Sequence, residues 1–113
     1  MRWFLRSKIH KAKVTETDLN YEGSLTLDED LLEKAGFLPG EKVLVVSNSS
    51  GARIETYLIA GEKGSGDIII NGAAAHLIKK GEEIIIMGFD LSENPIKACK
   101  VLVDENNKFV KFL

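Results

Sequence analysis

The sequence is poor in the residues that mark several classes of protein. It has one cysteine, Cys99, so no disulfide can form within the chain, and a reducing compartment such as the cytoplasm fits. No histidine flanks Cys99, and we expect no metal site. No apolar segment approaches the length of a membrane span, and Lys and Arg number 15 against 17 Asp and Glu. We therefore expect a cytoplasmic protein without a membrane or nucleic-acid partner.

Helix signals are also scarce. In the one segment with a helical pattern, Asp28 can act as N-cap, residues 30–35 form the body and Gly36 ends it. Thr26, with Glu29 three residues later, offers an alternative capping box. The other apolar or alternating segments predict strands over residues 3–16, 25–27, 43–46, 53–59, 67–70, 83–89, 98–103 and 108–112.

Many short strands with one or two short helices favour a mainly β protein. Apolar residues make up 44% of the 113 residues, which is enough for one core, so we expect a single domain spanning residues 1–113. Closing the sheet into a small barrel would remove exposed strand edges. The composition therefore favours a small closed β-barrel.

The first predicted strand carries two candidate site residues, Lys8 and His10. Strict alternation gives two faces, one with Lys8, His10, Ala12 and Val14 and the other with Ile9, Lys11 and Lys13. Lys8 and His10 could therefore face a site together, although a lone histidine is also often held by a structural hydrogen bond. Residues 17–20, which follow this strand, have the composition of a turn.

The segment Tyr21-Glu22-Gly23-Ser24 contains a dipeptide with special chemistry. Glycine has no Cβ, which leaves the Gly23 carbonyl open to the Ser24 hydroxyl and permits strained dihedrals. Attack by the hydroxyl would turn the amide into an ester, and elimination followed by hydrolysis would leave a pyruvoyl ketone. Gly64-Ser65 is the same dipeptide, so the pair alone is also compatible with an ordinary turn.

Two later glycine-containing segments could bind an anion. Gly64-Ser65-Gly66 lacks the Gly-Lys-Ser/Thr and the following helix of a P-loop, because a strand follows instead. Asn71-Gly72 predicts a tight turn, with one helical turn over residues 73–76. Exposed backbone N–H groups at Gly72, Ala73 and Ala74 would suit an anionic ligand there.

Several runs of residues form a pattern along the chain. They are Lys8-Ile9-His10-Lys11-Ala12 followed by Val14-Thr15, Asp18-Leu19 before Tyr21-Glu22-Gly23-Ser24, Ala35-Gly36, Arg53 with Thr56-Tyr57, and Asn71-Gly72-Ala73-Ala74-Ala75-His76. In this order and spacing, residues 5–90 resemble the pyruvoyl-dependent aspartate 1-decarboxylases. Beyond Asp90 the resemblance fades. Val46 stands where family members often have an aromatic residue, and this predicts an altered pocket wall.

The resemblance implies a precursor, or zymogen, that cuts itself between Gly23 and Ser24. The products would be a β chain of residues 1–23 and an α chain of residues 24–113, whose Ser24 becomes the pyruvoyl group. This covalent group would be the cofactor, with no metal and no pyridoxal phosphate. The family fold implies a six-stranded double-psi β-barrel and a homotetramer with active sites at subunit interfaces.

The implied reaction is the decarboxylation of L-aspartate to β-alanine and CO2 through a Schiff base with the pyruvoyl group, feeding pantothenate synthesis. Tyr57, expected as a buried phenol, would donate the proton, and Thr56 would assist self-processing and contact substrate. Arg53 and Lys8 would bind the substrate carboxylates, since Arg53 shares a face with Tyr57 on an alternating strand. The pocket lining would be Gly72, Ala73 and Ala74, with His10, Tyr21 and Asn71 as further candidates.

Other interpretations stay open at this point. A non-catalytic small-ligand-binding β-barrel would keep its chain uncleaved, and Arg53 would form a surface ion pair with Glu55. A structural assembly domain would use the apolar run Ile84-Ile85-Ile86 as a contact surface. A pyruvoyl enzyme with another amino-acid substrate would need a different ligand for Arg53 and Lys8.

Overall fold

A computed structural model describes all residues from Met1 to Leu113. It contains nine β-strands, one α-helix and one 3-10 helix. The elements are β1 (Arg2–Lys13), β2 (Glu16–Asp18), β3 (Leu25–Asp28), α1 (Glu29–Ala35), β4 (Lys42–Ser47), β5 (Arg53–Gly61), β6 (Ile68–Asn71), the 3-10 helix (Gly72–His76), β7 (Glu83–Ser92), β8 (Cys99–Val103) and β9 (Phe109–Phe112). The prediction of a mainly β protein with one or two short helices is confirmed, and no helix is long and apolar enough to cross a membrane.

The strands pair in the order β2-β6-β3-β5-β4-β7-β1-β8-β9. Most neighbours are antiparallel, whereas β1 with β8, β2 with β6 and β3 with β5 run parallel. This order has nine strands and two ends, β2 and β9. The hydrogen-bond order therefore does not itself give the closed barrel of six strands, which stays a prediction.

The core is built from alternate residues of neighbouring strands. Ile9 of β1 pairs with Ile86 of β7, Ile86 with Val45 of β4, and Val45 with Ile54 of β5. The first three side chains of this row are fully buried. Each buried aliphatic side chain contributes roughly 1.5–3 kcal/mol relative to an exposed one. Because one face of the row is buried, the residues on either side of it, including Lys8, point away from the core.

A β-bulge in β1 changes the predicted alternation. The register with β7 shifts between Ile9 and Ala12, and Lys11 between them has φ of 68°. The extra residue moves Ala12 and Val14 to the buried side together with Ile9, so the prediction that they share a face with Lys8 is wrong. Lys8 and His10 precede the shift and share a face as predicted.

The turn predicted over residues 17–20 begins too early. Residues 16–18 form β2, which pairs in parallel with Ile69, Ile70 and Asn71 of β6. The sequence is polar, but the distant strand supplies the hydrogen-bond partners, so tertiary pairing outweighs local preference. The turn itself is confined to residues 19–21.

Asp28 connects α1 to the glycine-rich loop over residues 61–66. Its carboxylate accepts a hydrogen bond from the backbone N–H of Asp30 at 2.9 Å, which makes it the N-cap in place of Thr26. It also accepts from the N–H groups of Gly64 at 2.9 Å and Gly66 at 2.7 Å. The N–H groups that a phosphate cradle would need are therefore already used, and β6 follows this loop as predicted.

Burial raises the pKa of the Asp28 carboxyl, but the N–H groups of Gly66, Asp30 and Gly64 and the charge of Lys108 outweigh burial. Together they hold the pKa below its usual range. The carboxylate is thus a charged structural link between β3, α1 and the loop, and it explains why this loop is not a ligand site.

Candidate active site

The backbone at Gly23 and Ser24 is unusual at two consecutive residues. Gly23 has φ of 119° and Ser24 has φ of 101°. Glycine adopts positive φ without cost, but a serine at this angle lies outside even the small left-handed region open to L-residues. Such conformations persist only where the surrounding structure holds them, and they concentrate at functional sites. The backbone at Ser24, next to the Gly23-Ser24 peptide bond, is therefore strained.

The Ser24 side chain is fixed by a residue from a distant strand. Ser24 is 4% exposed, and its hydroxyl oxygen accepts a hydrogen bond of 3.0 Å from the Asn71 side-chain amide. The Asn71 backbone N–H also donates to the Ser24 carbonyl at 3.0 Å. These contacts arise because β3 and β6 are antiparallel and pair Leu25 with Ile70, which puts Ser24 level with Asn71. The structure thus brings the predicted nucleophile and Asn71 together.

Gly72 packs directly against the same turn. A Cβ at position 72 would lie 2.8 Å from Gly23 Cα and 2.9 Å from Gly23 N. It would also lie 3.1 Å from the carbonyl oxygen of Tyr21. Real Cβ atoms do not approach backbone atoms this closely, so only glycine fits here. Of the predicted site residues, Gly23, Ser24, Asn71 and Gly72 form one cluster.

Strand β5 carries three predicted site residues on two faces. The parallel ladder between β3 and β5 begins with Leu25 and Leu58, so Thr56 lies on β5 two residues before that first pair. Thr56 lies on the half-buried face, whereas Arg53 and Tyr57 lie on the exposed face. Tyr57 is 43% exposed, so the expectation of a buried phenol is wrong for a single chain, because this face of β5 packs against nothing.

The ion pair expected for a surface Arg53 is absent. Glu55 pairs with Lys42 of β4 at 2.6 Å instead. Arg53 forms no ion pair and no side-chain hydrogen bond, so its guanidinium is free to bind an anion. This removes the interpretation in which Arg53 and Glu55 neutralise each other.

Lys8 and His10 lie on a different part of the sheet from β5. Lys8 pairs with Met87, Met87 with Leu44 and Leu44 with Glu55, so three strand spacings separate it from β5. His10 pairs with Leu102 of β8, and its Nδ1 atom is buried without a hydrogen-bond partner. The structural hydrogen bond considered for His10 is therefore absent at this nitrogen. Within one chain, neither residue contacts the Ser24 cluster through a hydrogen bond.

None of the remaining candidates forms a side-chain hydrogen bond with the cluster. Tyr21 is 50% exposed and its backbone carbonyl faces Gly72. Ala73 is exposed and Ala74 half-buried on the 3-10 helix, which confirms the predicted helical turn. Val46 pairs with Arg53 and is half-buried on the outer face.

A cavity of about 870 Å³ lies elsewhere and contains none of these residues. Its walls include Trp3, Leu38 and Phe89, with Arg6 on one side. The Arg6 guanidinium is already paired with Glu41 and Asp90. With no nucleophile and no free charge, this cavity offers less chemistry than the Gly23-Ser24 turn.

One residue of the cluster was missed by reasoning from the sequence. The second hydrogen of the Asn71 amide is donated to the Thr26 hydroxyl at 3.0 Å. Thr26 was considered only as a helix cap. The signal that could have found it is its position two residues after Ser24, the predicted nucleophile.

The fold and the site together define a class of protein: small, mainly β chains in which a strained Gly-Ser turn lies against an Asn-Gly turn. Comparisons with known proteins identify the family. The family model for aspartate decarboxylase matches residues 1–110. The chain therefore belongs to the aspartate decarboxylase family, and the resemblance predicted from its motifs is confirmed.

Two curated relatives show how far the similarity extends. Aspartate 1-decarboxylase of Neisseria meningitidis serogroup C is 55% identical over 111 residues, which cover 95% of this chain and 87% of that protein. Aspartate 1-decarboxylase of Staphylococcus aureus strain JH9 is 50% identical over 117 aligned positions, covering 100% of this chain and 92% of that protein. The similarity thus includes the C-terminal region, beyond the point where the motifs fade.

Proposed function

We propose that this protein decarboxylates L-aspartate to β-alanine and CO2, using a pyruvoyl group made from its own Ser24. The observation that carries the proposal is the strained, buried Gly23-Ser24 turn, with its hydroxyl bound by Asn71, in a chain of this family. The named relatives support the substrate, since both are aspartate 1-decarboxylases. The β-alanine product would feed pantothenate synthesis.

Self-processing would begin at the peptide bond between Gly23 and Ser24. The Ser24 Oγ bonds to the Gly23 carbonyl carbon while the C–N bond breaks, and the released nitrogen takes the hydroxyl proton. Loss of the Ser24 α-proton then breaks the Cβ–Oγ bond and releases residues 1–23 with a free carboxylate. Water converts the remaining dehydroalanine to a pyruvoyl group and ammonia. Relief of the positive φ at Ser24 favours the first step.

The residues around Ser24 fit a pyruvoyl group. Such a group supplies an electrophilic ketone that accepts an amine and withdraws the electrons left by a departing carboxylate. The buried position of Ser24 would keep water from the ketone. The Asn71 amide, whose partner Ser24 Oγ leaves with residues 1–23, would then be free to donate to a new acceptor in the site. Thr56, on the half-buried face of β5, would polarise the Gly23 carbonyl during processing and contact substrate afterwards.

Two cationic side chains would bind the substrate, and a phenol would donate a proton to it. Aspartate has two carboxylates, and Arg53, which has no partner in the chain, can bind one of them with two parallel hydrogen bonds. Lys8 would neutralise negative charge, and Tyr57 would return a proton from its hydroxyl to the former α-carbon. Gly72, Ala73 and Ala74 would leave room for the substrate, with His10 and Tyr21 at the edge of the site.

A single chain spreads these groups too widely for one small substrate. Lys8 lies three strand spacings from β5, which is about 14 Å, and Arg53 lies four residues from Tyr57, about 13 Å. All three are on the outer face of the sheet. We therefore propose that neighbouring subunits complete each site, within the homotetramer that the family implies. Light scattering should give four times the mass of one chain, and a monomer with full activity would contradict the assembly.

The barrel closure expected for the family is supported by the link between β1 and β2. These strands are separated only by Val14 and Thr15 and stand six places apart in the strand order. Counted as one long bent strand, β1 and β2 would close a ring with β6, β3, β5, β4 and β7. Thr15 strengthens the junction, because its N–H donates to the Ile68 carbonyl at 2.8 Å. We propose that this ring is the six-stranded double-psi barrel.

Intact-protein mass spectrometry under denaturing, reducing conditions tests the function. We expect two pieces, residues 1–23 and 24–113, the larger being lighter by one ammonia than simple hydrolysis predicts. Ser24→Ala should stay whole and produce no β-alanine from L-aspartate. A wild-type chain that stays intact and inactive after prolonged warming would overturn the proposal and favour a binding barrel. A protein that is cleaved but forms no β-alanine from L-aspartate would instead indicate another amino-acid substrate.

A further inference from the structure

The Asn71 side-chain amide joins two hydroxyl groups, one just before β3 and one on it. One of its hydrogens is donated to Ser24 Oγ at 3.0 Å and the other to Thr26 Oγ1 at 3.0 Å. The two hydroxyl groups therefore lie on the same side of this segment, although Ser24 itself is outside the strand. An amide nitrogen has two hydrogens, and both are therefore committed.

The second bond matters because it fixes the orientation of the amide. An amide held by one hydrogen bond can still rotate about its terminal torsion, which has a broad energy profile. With one hydrogen bond to each hydroxyl, the Asn71 amide has a fixed torsion. The direction of its hydrogen bond to Ser24 Oγ is then fixed as well. Asn71 is 4% exposed, so water cannot readily replace a lost partner.

Gly61 of the neighbouring strand β5 fixes the Thr26 side chain in turn. A Cβ at position 61 would lie 2.9 Å from the Thr26 Cγ2 methyl, so the methyl occupies the space that glycine leaves. Threonine is branched at Cβ, and placing its methyl determines where its hydroxyl points. The missing side chain at Gly61 thus directs Thr26 Oγ1 toward Asn71.

We propose that Thr26 is a positioning residue for self-processing, acting through Asn71 to orient the Ser24 hydroxyl toward the Gly23 carbonyl. This inference rests on the proposed function. Thr26 takes no part in the bond changes, which are the formation of the bond from Ser24 Oγ to the Gly23 carbonyl carbon and the loss of the C–N bond. Removing its hydroxyl slows cleavage but leaves the nucleophile in place.

The test follows the rate at which freshly made precursor is cleaved, by intact mass over time, together with the melting temperature of the precursor. Thr26→Val keeps the branched shape and removes the hydroxyl, and we expect cleavage to slow by about three- to tenfold, the equivalent of one hydrogen bond. Thr26→Ser restores the hydroxyl and should recover most of the rate.

Thr15→Val is the matched control for losing a threonine hydroxyl. Thr15 Oγ1 donates to the Ile68 carbonyl and accepts from the Ile68 N–H, away from Ser24. Thr15→Val should lower the melting temperature of the precursor, but it should slow cleavage less than Thr26→Val does. Cleavage of Thr26→Val at the wild-type rate, or a slowing shared equally by Thr26→Ser and Thr15→Val, overturns the inference. If Thr26→Val fails to fold, Gly61→Ala decides, because its new methyl displaces the Thr26 methyl and should slow cleavage. Cleavage of Gly61→Ala at the wild-type rate then overturns the inference. An uncut wild-type chain overturns the proposed function instead.

Discussion

Gly72 and Gly23, 49 positions apart in the sequence, are in contact through their backbones. The space that a side chain would fill at Gly72 is occupied by the Cα and N atoms of Gly23, at 2.8 and 2.9 Å from an ideal Cβ. Gly72 also has φ of 74°, which L side chains rarely adopt. The strained turn is therefore pressed against the start of the 3-10 helix, and this contact helps to hold it.

Gly72→Ala should block or strongly slow maturation. A left-handed backbone at a residue with a side chain costs roughly 1–2 kcal/mol, and the new methyl must also displace Gly23. We expect cleavage to be slowed by more than about tenfold, in line with those costs. The measurement is the fraction of uncut chain over time, by intact mass.

Gly81→Ala provides the control for this variant. Gly81 has φ of 90° but nothing within 4 Å of its Cβ position, so it shares the backbone strain and lacks the contact. The Gly81→Ala variant should therefore be less stable than the wild type but should be cleaved at the wild-type rate. Equal delays in both variants would mean that general destabilisation is the cause, and that the contact with Gly23 has no special role.

Tyr57→Phe should separate maturation from catalysis. The phenol lies on the outer face of β5, away from the half-buried face that carries Thr56, so self-cleavage should proceed. Loss of the proton donor should lower kcat for β-alanine formation by about 10²–10⁴-fold, typical of a missing general acid. A variant that stays uncut would show instead that Tyr57 acts in processing.

Arg53→Lys should lower kcat/KM for aspartate without unfolding the protein. A lysine keeps the charge but cannot form two parallel bonds to a carboxylate, and we expect kcat/KM to fall by about 10–100-fold. Glu55→Gln is the matched control, because it lies on the same face and pairs with Lys42. If both variants behave alike, the role of Arg53 is a general effect of surface charge.

Asp28→Asn should change how stability depends on pH. Because the pKa of Asp28 in the folded protein lies below its unfolded value, the ionised carboxylate stabilises the fold. That contribution is complete above the unfolded pKa, which is about 3.9, and is lost as pH falls through the folded pKa.

Urea unfolding at a series of pH values measures this. The asparagine variant should lose about 1–3 kcal/mol at pH 7, because buried N–H groups lose a charged acceptor. Its stability should also vary less between pH 5 and about pH 2. Glu105→Gln, an exposed position, should reproduce neither effect. An unchanged acid response in Asp28→Asn would show that other carboxyl groups govern acid unfolding.

Local signals predicted the type of each element well. The N-cap at Asp28 and the helix end at Gly36, which has φ of 73°, follow from side-chain and backbone preferences within a few residues. The strand types likewise follow from apolar and β-branched runs. The errors fall where a distant strand decides the outcome, as in β2, which is polar but is paired by β6. The bulge at Lys11 is of the same kind, since the partner strand β7 sets the register.

In the site, too, some properties follow from the sequence and others only from the tertiary structure. The sequence by itself determined the chemistry available: a serine after a glycine, an arginine, a phenol and the small residues after Asn71. Only the tertiary structure decided that Asn71 binds Ser24 and Thr26 and that Gly72 presses on Gly23. Reactive groups are properties of single residues, whereas strain and orientation come from strands far apart in the sequence, whose pairing fixes the register of every side chain.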